Sequence, residues 1–91
     1  MREKIRSLEY VMTIHAEEEM ANDNLSVFDV ENGILTGEIV ERQKDIETGE
    51  WKYLLSGKTL DGKDIIVVVK FSITDKMFII TVFLEDYEYE N

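Results

Sequence analysis

Residues 64–73 read DIIVVVKFSI, a largely β-branched run broken by one lysine, and three similar runs stand at 38–45, 51–60 and 77–86. Runs of this length and composition between turn formers are strands. The chain has no proline to forbid their pairing. Between the second and third runs, Asp61-Gly62 is a two-residue hairpin signal, because both central positions of a type I′ turn need positive φ. DIETGEW and ITDKM are weaker turns that separate the remaining runs. Connections this short favour an antiparallel meander of four strands.

Side chains alternate faces along a strand, so turn length fixes which residues share a face. A two-residue turn at Asp61-Gly62 sets Tyr53 opposite Lys70. A two-residue turn at Asp75-Lys76 sets Lys70 opposite Thr81. The expected outcome is a row of Tyr53, Lys70 and Thr81 on one face, among Leu55, Val68, Ile79 and Phe83. The other face would carry Leu54, Ile65, Val67, Val69, Phe71, Ile73, Phe78, Ile80, Val82 and Leu84, and being more apolar it is assigned to the helices.

Before residue 37 the spacing is helical. REKIRSLEY can form a short helix with Ile5, Leu8 and Met12 on one side. Thr13 is suited to cap a helix beginning near Ile14, with Glu17, Glu18 and Glu19 favourable near its positive end. Ala16 and Met20, four apart, would face the core. Ser26 can cap the next helix, whose Val27, Val30 and Ile34 form one stripe, and Gly37 is suited to end it. The expected fold is α+β: two to three N-terminal helices packed on one face of a four-stranded antiparallel meander. One domain spans 1–91, with helices over about 1–36, a sheet over about 37–86 and an acidic, fraying tail at 87–91.

The chain holds 91 residues, no cysteine and one histidine. Those counts leave no disulfide framework and no ordinary structural zinc site. No apolar run is long enough for a membrane span, and the expectation is a soluble cytoplasmic protein without cofactor. A net charge of −10 opposes general binding to phosphate backbones. The charge is uneven: residues 17–31 hold six acids and no base, whereas residues 38–76 hold eight acids and seven bases. A local cationic site is therefore compatible with the central segment.

Five residues are candidates for chemistry. His15 is a candidate because the imidazole side chain suits general acid or base work; with Glu18 and Glu19 it could also bind a cation, but glutamates at a helix start are more simply solvated charges. Lys70 lies inside an apolar strand and needs a partner or solvent, which a lysine snorkelling from the sheet would satisfy. Arg42 can hold a phosphate through its planar fork, or pair with Glu41 or a neighbouring strand's carboxylate. Tyr53 and Thr81 are read as positioning groups because the expected register places them beside Lys70. Trp51 and Tyr53 are more simply core or edge-packing aromatics than base-stacking platforms.

The order TIHAEEEM, DVENGILTGEIVERQKD, KYLLSGKT, IIVVVKF, IITVF resembles the bacterial domain-of-unknown-function family 4258 from about Thr13 to Phe83. The resemblance rests on a T-x-HA-x-E-x-M opening and a final strand like IITVY, with Thr13, His15, Ala16, Glu18, Met20, Gly37, Glu38, Arg42 and Thr81 matching. It implies a RelE-like or barnase-like fold shared with ribonuclease toxins, paired with a small antitoxin that is often of zinc-finger type. The function implied is a toxin-like, metal-independent ribonuclease with RNA as substrate. His15 would then be acid or base, with Lys70 and Arg42 holding phosphate and Tyr53 and Thr81 positioning it. Many relatives carry arginines where this chain has Glu19 and Asp23. Acids at those places favour the alternative, a non-catalytic acidic module that binds a small basic or zinc-finger partner.

Overall fold

The computed structural model describes residues 1–7 and 9–85. Leu8, expected on the first helical stripe, and the tail at 87–91 lie outside them. Helix α1 (Arg2–Arg6) leads into β1 (Tyr10–Met12), α2 (Ile14–Asn22), α3 (Val27–Thr36) and strands β2 (Glu38–Lys44), β3 (Trp51–Lys58), β4 (Asp64–Phe71) and β5 (Met77–Leu84). The class is α+β, but the sheet has five strands in the order β1-β5-β4-β3-β2 and is mixed, since β1 runs parallel to β5. Met12, expected on a helix, therefore lies in a strand, where it pairs with Ile79. A three-residue strand is too short to show alternation in sequence.

The local helix signals act as their chemistry requires. Thr13 Oγ1 accepts from Ala16 N, and Ser26 forms a capping box with Asp29. Ala16, Val30 and Ile34 are buried and Met20 packs against the core, while Val27 remains exposed. In the α3 stripe Gly33 takes a buried place against Ile65. Helix α3 packs across β3 and β4, α2 packs against β5, and α1 against α3.

The register corrects the expected row. Tyr53 pairs with Val69, and Lys52 is the residue opposite Lys70. Lys70 in turn faces Phe78, and Thr81 faces Val68. Both hairpins hold three residues where two were expected: Thr59 N donates to Lys63 O, and Ser72 N donates to Lys76 O. Each loop ends in a left-handed residue, Gly62 at φ 84 and Asp75 at φ 64, the form that follows a type I turn. One extra residue per turn exchanges the faces of the adjoining strand. Tyr53, Leu55 and Ile79 therefore join Ile65, Val67 and Val69 in the core beneath the helices, while Leu54, Phe78 and Ile80 turn to the open face. A bulge between Val68 and Val69 restores parity, so Val82 and Leu84 lie on the helix side as expected.

Candidate functional site

Helix α2 carries His15 on its first turn, at the outer margin of β5. The imidazole is exposed, and its Nε2 lies 3.2 Å from Glu19 Oε1, one helical turn along. The same oxygen accepts from Val82 N at 3.1 Å. At the C-cap of the helix Asp23 Oδ2 accepts from Leu84 N at 3.3 Å, and at its N-cap Thr13 N donates to Ile79 O at 3.1 Å. Beyond the short β1, α2 thus replaces a missing neighbour strand with side chains and supplies acceptors for the margin of β5. Glu19 and Asp23, which stand where many relatives carry arginines, serve this structural purpose. Sequence could not show it, because the strand they cap lies some sixty residues away.

Arg42 and Tyr53 do meet. They are direct cross-strand partners on β2 and β3, on the side of the sheet that bears the helices. The Arg42 guanidinium carbon lies 5.8 Å from the Trp51 ring centre and Lys44 Nζ 5.7 Å, so both cations lean on one indole. Trp51 stacks near Tyr53, and Tyr53 meets Phe71 edge to face at 5.8 Å. Arg42 has therefore taken an aromatic face as its neighbour.

Lys70 stands across the sheet from Tyr53, on the open face, where its ammonium lies 2.8 Å from Glu50 Oε1. That hydrogen bond outweighs partial desolvation and raises the Lys70 pKa above its ordinary value. The ammonium is thus held charged and already paired. Thr81, opposite Val68, shares the open face with Lys70. The five candidates therefore form no single cluster: His15 lies on α2 beside β5, Arg42 and Tyr53 lie on the helix side at the β2–β3 end, and Lys70 and Thr81 lie on the open face of β4 and β5. Two to three strand spacings of near 4.8 Å, about 10–15 Å, separate β5 beside His15 from Tyr53 on β3 and Arg42 on β2. One phosphate cannot touch both.

What the His15 end offers chemically is an imidazole beside a carboxylate. A cleavage centre needs cations where negative charge develops at phosphorus, and Glu19 places the opposite charge there. Among the described residues no set of three His, Asp or Glu side chains is arranged to hold a metal ion. No helix among them is long and apolar enough to cross a membrane.

The family model for a domain of unknown function, DUF4258, matches residues 12–84, from the end of β1 to the end of β5. The chain belongs to the DUF4258 family. The matched span contains α2 with His15 and the whole antiparallel part of the sheet, so the DUF4258 unit coincides with the folded core apart from α1. Comparisons with curated proteins and with solved structures give no match.

Proposed function

We propose that this DUF4258 chain is a non-catalytic member of a RelE-like, toxin-type fold that acts by binding a small basic protein, of the antitoxin or zinc-finger kind. The observation that carries this reading is the position of Glu19, whose carboxylate occupies the place beside His15 where phosphate cleavage would require a cation. The separation of Arg42 from His15 and the pairing of Lys70 with Glu50 support it. The binding surface is the acidic helix layer: Glu17 and Glu18 project from α2, and no base lies between residues 17 and 31. Charge of one sign on a surface speeds encounter with a partner of the other sign and selects against acidic partners, RNA included.

The test pairs two assays on the purified protein. Mixed-sequence RNA incubated with it and resolved on a denaturing gel stays intact, and the His15→Ala variant gives the same pattern. A synthetic twenty-residue lysine-serine peptide binds, and Glu17→Lys with Glu18→Lys weakens that binding about tenfold. RNA cleavage that His15→Ala abolishes would overturn the reading in favour of a ribonuclease. Unchanged peptide binding by the charge-reversed variant would remove the helix layer from it.

A further inference from the structure

Strand β2 is the sheet's terminal strand, and all seven of its residues are exposed. The β5 side of the sheet is closed by β1 and by the Thr13, Glu19 and Asp23 contacts, whereas β2 has no strand or helix on its outer side among the described residues. Its outer N–H and C=O groups are therefore available to another chain.

A groove accompanies this margin on the helix side. Two clefts, of about 740 and 790 Å³, share Met1, Glu3 and Ile39 and so adjoin each other, marking out a channel between α1 and the β2–β3 pair. Leu55 lies toward one end, and Trp51 and Tyr53 toward the other. Alternate side chains of a strand added to β2 would enter that channel, while the intervening ones would lie over the open face.

Resting on the protein-binding reading above, we infer that β2 receives an extended segment of the partner as a sixth, antiparallel strand. Its channel-side residues are carboxylates opposite Lys44 and Arg42 and an apolar side chain opposite Ile39. Its other side carries lysines opposite Glu41 and Glu38. A bulge at Val40 confines regular pairing mainly to Glu41–Lys44. This charge order also excludes a second copy of the chain. In a continuous antiparallel sheet, self-pairing centred on Gln43 sets Arg42 against Lys44, and pairing centred on Arg42 or Glu41 sets that residue against itself. Like charges directly opposite are unfavourable in each register.

The probe is a capped hexapeptide, glutamate-threonine-glutamate-lysine-valine-lysine, titrated into the ¹⁵N-labelled full chain. Its control is the charge-exchanged lysine-threonine-lysine-glutamate-valine-glutamate, which has the same zero net charge. The first peptide shifts amides of residues 38–44 and protects alternate ones from hydrogen exchange. It binds about tenfold more tightly than the control, the scale of two cross-strand ion pairs. In the double variant Arg42→Glu with Lys44→Glu the preference reverses. Equal binding of both peptides, shifts confined to α2, or a concentration-dependent dimer that protects β2 without peptide would each overturn the inference. Shifts confined to α2 with the lysine-serine peptide still bound would leave the broader binding function standing.

Discussion

Gly57 and Gly33 set the distance between α3 and the sheet. A Cβ at Gly57 would lie 2.0 Å from Gly33 O, and one at Gly33 would lie 2.6 Å from Ile65 Cγ2. A backbone carbonyl in a helix cannot step aside, so Gly57→Ala must displace α3. The expected loss is about 1–3 kcal/mol, read as a lower urea midpoint; an unchanged midpoint would show that α3 does not rest on this glycine. Glu19 makes a second residue-scale case. Removing its carboxylate leaves Val82 N without its acceptor, so Glu19→Ala costs about 1–3 kcal/mol and Glu19→Gln, which keeps an oxygen, recovers most of it. Thermal unfolding of the two variants side by side distinguishes this strand-capping role from simple surface charge. If both variants melt with the native chain, the contact contributes nothing.

At the scale of elements, α3 shows how a cap becomes pH-dependent. Asp29 accepts from Ser26 N at 3.0 Å and from Leu60 N at 3.1 Å, and these hydrogen bonds, the first foremost, hold its carboxyl below the ordinary 3.8. A depressed carboxyl stabilises the fold fully above its unfolded pKa and loses that contribution as pH falls through the lower folded value. Asp29→Asn should therefore flatten the stability curve below about pH 4. Ser26→Ala should cost about 1 kcal/mol at neutral pH, and denaturant titrations across pH test both. These caps were legible in sequence because each acts within three residues of itself. Strand identity was legible too, from composition and turn residues. The register was not: Asp61-Gly62 suits a two-residue turn and the last two places of a three-residue loop equally, and only the closed hairpin decides between them. That single residue moved Tyr53 beneath the helices and dissolved the expected row with Lys70. Strand β1 and the capping of β5 by α2 were beyond reach because both depend on contacts more than sixty residues apart.

Across the whole molecule, charge is sorted. The acids of α2 and α3 form the helix layer, while Arg42 and Lys44 crowd one indole at the far end of the sheet, so a basic partner meets the two regions with different parts of itself. Exposed charge of this kind is screened by salt: raising ionic strength from about 0.15 to 0.5 M shortens the Debye length and should weaken lysine-serine peptide binding severalfold. Salt-independent binding, followed by calorimetry, would point instead to the apolar open face around Leu54, Ile80 and Phe83.

The separation of Tyr53 from Lys70 rests on the β3–β4 register. The absence of native cysteine makes disulfide trapping a direct test of that register. Directly opposite strand residues have Cα separations within disulfide range. Lys52→Cys with Lys70→Cys should therefore oxidise within one molecule, seen as a mass loss of two hydrogens and faster migration on a non-reducing gel. Tyr53→Cys with Lys70→Cys should stay reduced, since the two side chains leave opposite faces of the sheet. Efficient oxidation of the second pair and not the first would restore the tyrosine–lysine row and contradict the placement of Tyr53 and Lys70 on opposite faces of the sheet.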